Sequence, residues 1–263
     1  MPAPLASKVV LVTGASAGIG AAVVKLAAAR GASVVLVARR EAELRAVAAE
    51  CGAEALVVVA DVTKRADVER ALDEAVARFG RVDVWVNNAG RGMSIEVERL
   101  TDDDLDEMMR VNVKSALYGM QVAAAHFRVR GTGHVINVSS MLGRMPFATF
   151  RAAYCAAKHA LNALTACLRV DLSRTHPGVH VSTVSPGVVA TEFGVNAIGG
   201  GPDSRRMAGS QSAEDVAAVI VDLIERPRAD VYTRPDARER IAAYYAAEDM
   251  AAVEAGWGAP PRV

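Results

Sequence analysis

Two residues four positions apart, Tyr154 and Lys158 in the stretch YCAAK, carry the clearest chemical signal in this sequence. On a helix these positions share one face, so the phenol and the ammonium group are expected to be neighbours. An ordinary tyrosine has a pKa of ~10, and about 4 kcal/mol is needed to bring it to ~7. One ammonium about 6 Å away supplies roughly 2.8 kcal/mol of this. The pair predicts acid–base chemistry assisted by a further positive charge.

A glycine-rich turn, TGASAGIG, occupies residues 13–20. Gly14 allows a sharp turn, while Gly18 and Gly20 let backbone segments approach without a Cβ between them. A helix that begins near Gly18 directs free N–H groups and its positive dipole end at a phosphate. The spacing differs from the general G-x-G-x-x-G fingerprint. Between a strand and a helix it still predicts a pyrophosphate site, and with the Tyr–Lys pair it indicates hydride transfer with a nicotinamide dinucleotide.

The residues after the second predicted strand indicate which dinucleotide is bound. NAD enzymes usually place an acid about twenty residues past the glycines. This chain has Ala38, Arg39 and Arg40 there, and a guanidinium binds a 2′-phosphate in a forked arrangement. We therefore expect NADP, with Arg39 as the main contact and NAD as the less favoured cofactor. Alternatively, both arginines start a solvated helix, and Ala17 supplies no second basic clamp in the turn.

Polar residues also end the third and fourth predicted strands. Asp61 either accepts a hydrogen bond from an adenine amino group or caps the following helix. Asn87 and Asn88, in the stretch NNAG, either tie neighbouring strands together or line the adenosine pocket. Gly90 lets the backbone pass near a ribose.

Short apolar runs, separated by helical stretches, are the elements that position these residues. Most runs are β-branched and continuous, which is typical of strands buried on both faces. Their alternation with helices predicts one α/β domain, a Rossmann-like, doubly wound parallel sheet with helices on both faces. The 263 residues fit one such domain. The runs lie at 8–12, 33–38, 55–60, 82–87, 134–139 and 179–185, and a seventh strand is expected near 230–233.

Composition excludes several classes of function. Lys plus Arg and Asp plus Glu are both 30, so no overall charge attracts the protein to nucleic acid. Charged residues interrupt the apolar runs before they reach membrane-spanning length. The start MPAPLASK has no apolar signal core, so a cytoplasmic location is expected. Three cysteines without a CxxC motif, and scattered histidines, predict packing roles and no metal site.

These motifs, in this order, resemble the short-chain dehydrogenases/reductases in their compact single-domain branch. The resemblance covers roughly residues 7–192 and rests on TGASAGIG, NNAG, Asn112 in VNVKS, Ser140 in NVSS, YCAAK and PGVVAT. One departure is visible, because Ser140 precedes Tyr154 by fourteen residues where family members commonly have thirteen. Ser139 is therefore a second candidate for the serine role.

The resemblance implies a role for each matching residue. Tyr154 exchanges a proton with a carbonyl or alcohol oxygen, Lys158 lowers its pKa and binds the nicotinamide ribose, and Ser140 holds the substrate oxygen. Asn112 positions a water that extends the proton path. The implied cofactor-binding residues are Gly14, Ser16, Gly18, Ile19, Gly20, Arg39, Arg40, Asp61, Val62, Asn88, Ala89, Gly90, Tyr154, Lys158, Pro186, Gly187, Val189 and Thr191.

The predicted function is an NADP-dependent oxidoreductase that interconverts a carbonyl group and a secondary alcohol. Alternatives are a catalytically silent dinucleotide sensor, a lyase or epimerase on the same scaffold, and an NAD-dependent alcohol dehydrogenase. A homotetramer or homodimer is implied by the resemblance, with small apolar positions along helix 152–174 suited to close packing. The only partner otherwise expected is a small ketone or alcohol.

Two further predictions concern the substrate. A set of apolar side chains predicts a small, largely apolar substrate, unless these residues pack under a lid or at a subunit contact. The glycine-rich segment 192–210 is expected to be that lid, or else a fixed surface excursion. The side chains in question are Met93, Met141, Leu142, Met145, Phe147, Phe193 and Ile198, with Arg144 and Arg151 nearby.

Overall fold

Seven parallel strands form a single sheet in a computed structural model that describes residues 5–257. The strands are β1 (Val9–Thr13), β2 (Ser33–Ala38), β3 (Ala55–Val59), β4 (Val84–Asn87), β5 (Gly133–Val138), β6 (Val179–Ser185) and β7 (Asp230–Tyr232). Their order across the sheet is β3-β2-β1-β4-β5-β6-β7. Every neighbouring pair is parallel, which confirms the predicted doubly wound sheet.

Helices cover both faces of this sheet. They are α1 (Gly18–Ala29), α2 (Glu41–Cys51), α3 (Arg65–Phe79), α4 (Asp102–Met109), α5 (Ser115–Arg130), α6 (Ala152–Thr175), α7 (Ala213–Glu225), α8 (Ala237–Tyr245) and α9 (Met250–Glu254). Buried side chains of α1, α2 and α7 pack on one face of the strands, and those of α3, α5 and α6 pack on the other. A third apolar cluster lies beside the start of α6.

The strand boundaries follow the apolar runs closely. β2 and β6 have the predicted bounds, and the other strands differ by one or two residues at an end. The main difference in burial is at β3, which is an edge strand with Val59 40% exposed. An edge strand has no neighbour on one side, so it is not covered as fully as the inner strands. The sequence pattern predicts no helix or strand after residue 233, so it does not predict helices α8 and α9.

The order of the strands reverses between β1 and β4, which lie side by side although β2 and β3 separate them in the chain. Crossovers from the two strands leave in opposite directions, and this opens a crevice at their carboxyl ends. Polar residues that follow β2, β3, β4 and β5, namely Arg39, Asp61, Asn88 and Ser140, therefore line one crevice. No helix within residues 5–257 combines the length and the apolar character needed to cross a membrane.

The proposed packing positions of α6 divide between two sides of the helix. Ala157 is fully buried inside the protein, whereas Ala156 and Ala163 are exposed and Ala160 is partly buried. Only the outward set is available to a second copy of the chain. Association through α6 stays a prediction.

Candidate active site

The glycine-rich turn joins β1 to α1 at the mouth of the crevice. Gly14 and Gly18 have φ angles of +68° and +54°, which glycine adopts without strain. A Cβ on Gly20 would lie 2.3 Å from the carbonyl oxygen of Gly14, so no larger residue fits there. Ala17, the N-cap of α1, provides no side-chain acceptor. The first N–H groups of α1 therefore lack a side-chain cap and form a site suited to a phosphate.

The loop after β4 is tied to the end of β1. The hydroxyl of Thr13 accepts hydrogen bonds from the N–H groups of Asn88 at 3.0 Å and Ala89 at 3.1 Å. Asn88 Nδ2 donates to the carbonyl oxygen of Thr13 at 3.0 Å. Asn87 Nδ2 donates to Asn137 Oδ1 at 2.8 Å and so joins β4 to β5. Both asparagines tie strands together, and Asn88 also lines the crevice.

The two arginines after β2 have different surroundings. Arg40 donates to Ser16 Oγ at 3.0 Å and pairs with Glu43 at 3.2 Å, so it braces the glycine-rich turn. Arg39 is exposed and, within residues 5–257, forms no ion pair. Both side chains line the crevice. Arg39 is therefore the guanidinium of this pair that is available to an anion.

Asp61 holds the loop that follows β3. Its carboxylate accepts hydrogen bonds from the N–H and the hydroxyl of Thr63 at 3.1 and 2.8 Å. The next helix, α3, begins at Arg65 with Lys64 as its N-cap. The interpretation that Asp61 caps this helix is therefore wrong, because the helix begins too far along the chain. Asp61 and its neighbour Val62 both line the crevice.

Tyr154 and Lys158 lie one above the other in the first turns of α6. Their side chains belong to residues that are 6% and 4% exposed. Lys158 Nζ is 5.6 Å from the centre of the Tyr154 ring and donates to the carbonyl oxygen of Val138 at 2.9 Å. The spacing in YCAAK thus produces the predicted pair, and the end of β5 fixes the lysine.

Ser140 is the serine that reaches this pair. It caps the short 3₁₀ turn Met141–Gly143, with its Oγ accepting from the N–H of Leu142 at 3.1 Å. The hydroxyl is close enough to the phenol to lower the pKa of Tyr154. The Ser139 hydroxyl is buried and hydrogen-bonds to none of the described residues. The one-residue departure in spacing therefore lies in the loop between Ser140 and the tyrosine.

Burial dominates the proton equilibria of the pair. Removal from water raises the pKa of Tyr154 to about 12, although the charge of Arg151 and the contact with Ser140 act to lower it. Burial also lowers the pKa of Lys158 to about 8. The attraction of the ammonium group predicted a lower phenol pKa, but the cost of removing a phenolate from water is larger here. The protein by itself keeps the phenol protonated.

Asn112 lies in a single turn of π-helix, Arg110–Lys114, between α4 and α5. Its Oδ1 accepts from the N–H of Arg91 at 3.1 Å, and its Nδ2 donates to the carbonyl oxygen of Arg91 at 3.0 Å. A Cβ on Gly90 would lie 2.8 Å from this Oδ1 and 3.8 Å from Lys158 Nζ. Asn112 therefore fixes the loop after β4 beside the lysine. Its part in a proton path stays a prediction.

These features surround one cleft of about 1320 Å³. Among the predicted site residues, Gly20 and Asn112 do not line it, and each supports a residue that does. Thr191 stands across the cleft from the glycine-rich turn, since a Cβ on Gly18 would lie 3.2 Å from its methyl group. The cleft thus joins a phosphate cradle to a buried proton donor.

Comparison with known proteins agrees with this geometry. The family model for short chain dehydrogenases matches residues 8–198. The chain belongs to the short chain dehydrogenase family. Within residues 5–257, this dehydrogenase has no group of three or more His, Cys, Asp or Glu side chains placed to hold a metal ion.

Similar proteins are oxidoreductases. An uncharacterized oxidoreductase of Staphylococcus epidermidis is 39% identical over 189 residues, which is 72% of this chain and 81% of that protein. A 3-ketoacyl-(acyl-carrier-protein) reductase from Brucella melitensis, solved with NADH, has a TM-score of 0.78 and 29% identity, covering 87% and 96% of the two chains. An alcohol dehydrogenase from Thermococcus sibiricus, solved with 5-hydroxy-NADP, has a TM-score of 0.74 and 28% identity, covering 85% and 94%. This dehydrogenase is thus an NAD(P)-dependent oxidoreductase.

The apolar residues predicted for the substrate pocket divide into two groups. Met141, Leu142, Phe147 and Phe193 line the cleft of this dehydrogenase. Met93, Met145 and Ile198 do not, and Met93 pairs with Ile198 through backbone bonds under the segment 192–210. Part of the set therefore packs under the proposed lid. Met93 and Ile198 fit the packing alternative, and Met145 is buried outside the cleft.

Sequence reasoning missed several residues that line the cleft. Arg110 is the clearest, because its guanidinium donates to the hydroxyl of Thr63 at 2.7 Å beside Asp61. Its position two residues before Asn112 was the available signal. The others lie in helices or loops where no chemical pattern marks them, and they include Lys25, Thr63, Arg91, Glu107, Phe150, Asn196, Ser204, Arg205, Met207 and Glu214.

Proposed function

We propose that this dehydrogenase uses NADP to interconvert a ketone and a secondary alcohol, with Tyr154 as the group that gives and takes the proton. The observation that carries the proposal is the buried pair of Tyr154 and Lys158 in the same cleft as a phosphate cradle. Ser140 lies beside the phenol. A sensor has no need of a buried lysine directed at a buried tyrosine, since burying both groups without a chemical role only destabilises the fold.

The residues present fit an NADP molecule. The uncapped N–H groups at the start of α1 suit its pyrophosphate, and Arg39 suits its 2′-phosphate. Asp61 and Val62 are proposed to contact the adenine, and Asn88 to Gly90 a ribose; all of them line the cleft. Lys158 is proposed to bind the second ribose. The segment of Pro186, Gly187, Val189 and Thr191 would hold the nicotinamide end, as the family resemblance implies.

The chemistry needs a hydride, a proton and a fixed carbonyl group. When bound, NADPH supplies the hydride for the carbonyl carbon. Ser140 donates a hydrogen bond to the carbonyl oxygen and holds it within reach of the Tyr154 hydroxyl. Tyr154 then donates its proton to that oxygen. Its pKa of about 12 in the free protein keeps it in the protonated form that this step requires.

Lys158 has a second task in this proposal. After proton donation the tyrosine is a phenolate, and the ammonium 5.6 Å from the ring centre stabilises that charge. The backbone of Val138 holds Nζ in place during the change. Asn112 positions the loop at Gly90 and so keeps the ribose end of the cleft beside this lysine.

The test is Tyr154→Phe, assayed for NADPH oxidation with a panel of ketones. Loss of the proton donor is expected to lower kcat/KM by about 10³-fold or more. Binding of NADPH and the melting temperature are expected to stay within error, because only one hydroxyl is removed. Tyr118→Phe makes the same chemical change on α5, under Arg65, and is expected to retain activity. A Tyr154→Phe protein with most of its kcat/KM would refute the assignment.

Net consumption of cofactor separates this function from its alternatives. Stoichiometric oxidation of NADPH by a ketone requires an oxidoreductase. A sensor would bind the nucleotide without consuming it, and a lyase or epimerase would return it to its starting redox state.

A further inference from the structure

Arg151 is a buried cation that the proposed mechanism does not use. It is the N-cap of α6, three residues before Tyr154, and only 8% exposed. Within residues 5–257 its guanidinium forms no ion pair and donates no hydrogen bond, yet the residue lines the cleft. Charged side chains are almost never this buried unless they are paired. Its guanidinium is therefore open to a partner that enters the cleft.

The surroundings of Arg151 do not replace that partner. Its guanidinium carbon is 5.6 Å from the ring centre of Phe150 and 5.7 Å from that of Phe193. Its Nη1 and Nη2 lie 3.2 Å from the positions that a Cβ would take on Gly92 and Gly201. Aromatic rings and glycine backbone attract a cation weakly compared with a carboxylate. Burial accordingly lowers the pKa of Arg151.

Other arginines near this end of the cleft are already satisfied. Arg144 donates to Asp230 at 2.6 Å. Arg205 pairs with Asp203 at 2.8 Å and with Glu192 at 3.2 Å. These side chains are also more exposed than Arg151. Arg91 also lines the cleft, but it is exposed and donates to the carbonyl oxygen of Asn196 at 3.4 Å. Among residues 5–257, Arg151 is therefore the buried guanidinium at this end of the cleft that has no competing carboxylate.

We propose that Arg151 binds a carboxylate of the substrate, so that this dehydrogenase acts on oxo acids and the corresponding hydroxy acids. Arg151 and Tyr154 lie three positions apart at the start of α6, and both contact Phe193. One small molecule therefore reaches both groups, with its carbonyl at the phenol and its carboxylate at the guanidinium. The planar fork of Arg151 suits a carboxylate in a bidentate arrangement.

This inference rests on the proposed function and changes its substrate class. The apolar residues Leu142, Phe147 and Phe193 then enclose the carbon chain between the two polar ends. The predicted largely apolar substrate becomes one with an apolar middle and one negative end. Arg151 is in this view a specificity-determining residue, distinct from the proton donor.

The experiment compares three oxo acids of increasing chain length with their methyl esters: 4-oxopentanoate, 5-oxohexanoate and 7-oxooctanoate. Binding to the NADP-saturated protein is measured by calorimetry, and kcat/KM is measured with NADPH. At least one acid is expected to bind ten or more times as tightly as its ester. A tenfold difference in Kd corresponds to about 1.4 kcal/mol of binding free energy. Arg151→Gln is expected to remove the preference and leave ester binding unchanged. Arg151→Lys is expected to retain part of it.

Two controls test whether the preference for the acid depends on Arg151 itself. Arg128→Gln makes the same change of net charge in the last turn of α5, shortly before the amino end of β5, whereas the cleft lies at the carboxyl ends of the strands. It is expected to keep the ratio of acid affinity to ester affinity. If Arg151→Gln does not fold, the wild-type ratio and Arg151→Lys decide. Equal binding of each acid and its ester in the wild type, or an unchanged preference in Arg151→Gln, overturns the inference.

The outcomes separate the inference from the proposed function. Turnover of neutral ketones without any acid preference supports the function and refutes a carboxylate at Arg151. Selective acid binding that depends on Arg151, without oxidation of NADPH by any compound, supports the inference and refutes the function.

Discussion

At the nucleotide end of the cleft the backbone provides most of the binding groups, whereas at the opposite end side chains provide them. The glycine-rich turn and the first N–H groups of α1 form the nucleotide end, supported by Thr13 and Asn88. The opposite end is built from Phe147 and Arg151, in the loop that leads into α6, and from Phe193, in the segment that follows β6. A site made of backbone groups tolerates changes of side chain, whereas contacts made by side chains depend on which residues this chain carries. We therefore expect the second end to determine the substrate.

The two ends also differ in how they handle charge. Arg39, at the nucleotide end, is exposed and solvated before any ligand binds. Arg151, at the other end, is buried and has lost most of its solvation already. A carboxylate that binds Arg151 therefore supplies polar interactions that the buried guanidinium lacks. A phosphate that binds Arg39 must first displace water from that side chain. Selectivity per contact is expected to be greater at the buried arginine.

The largest effect on nucleotide affinity is expected from adding one methyl group to Gly20 of the glycine-rich turn. In Gly20→Ala the new Cβ would lie 2.3 Å from the carbonyl oxygen of Gly14 and 2.6 Å from Asn88 Nδ2. The turn must move, and we expect two or three hydrogen bonds to the pyrophosphate to be lost. NADPH affinity is expected to fall about 1000-fold, the equivalent of ~4 kcal/mol, as measured by fluorescence titration.

Overpacking of the turn also lowers the free energy of unfolding by about 1–3 kcal/mol. Gly256→Ala is the matched control, since among residues 5–257 the atom nearest to its Cβ would be the carbonyl oxygen of Val253, at 3.4 Å. Wild-type nucleotide affinity in Gly20→Ala would show that the turn is not the pyrophosphate site.

An intermediate effect is expected from reversing one charge after β2. Arg39→Asp removes the proposed partner of the 2′-phosphate and adds a repelling carboxylate. NADP affinity is expected to fall about 100-fold, the equivalent of ~2.7 kcal/mol, with NAD affinity nearly unchanged. Arg45→Asp makes the same charge change on α2, where Arg45 pairs with Glu41 at 2.6 Å, and controls for the overall field. Equal affinity of the wild type for NAD and NADP would contradict the proposed preference.

The contrast between the two ends of the cleft also explains which features could be predicted from the sequence. The individual strands, the glycine-rich turn and the Tyr154–Lys158 pair each depend on residues close together in the chain, so local patterns predict them. Thr13 in contact with Asn88 is a different case, because it requires the adjacency of β1 and β4. That adjacency follows only from the rule for doubly wound sheets.

Other features depend on burial, which no local pattern reports. The pKa of Tyr154 was expected to fall and instead rises to about 12, because the pattern shows the neighbouring lysine but not the loss of water around the phenol. The isolation of Arg151 was invisible for the same reason. Its neighbours Gly92 and Gly201 lie about fifty residues or more away in the chain.

The smallest effect concerns the segment 192–210, which we propose is a lid over the substrate end. In this structure Ile198 N donates to the carbonyl oxygen of Gly92 at 3.0 Å, and Ser94 N donates to that of Ile198 at 2.8 Å. Opening must break both bonds, which costs about 1–3 kcal/mol. In the protein without ligand, the amides of Ile198 and Ser94 are therefore expected to exchange about 10–100-fold more slowly than free amides.

Saturation with NADP and an oxo acid is expected to slow the exchange of these amides about tenfold further, because Phe193 then stays over Tyr154 and excludes water. The amide of Val12, in the centre of the sheet, is the internal reference and is expected to change little. If the Ile198 amide is already as protected as that of Val12 in the free protein and ligand leaves it unchanged, the segment is a fixed part of the surface and not a lid.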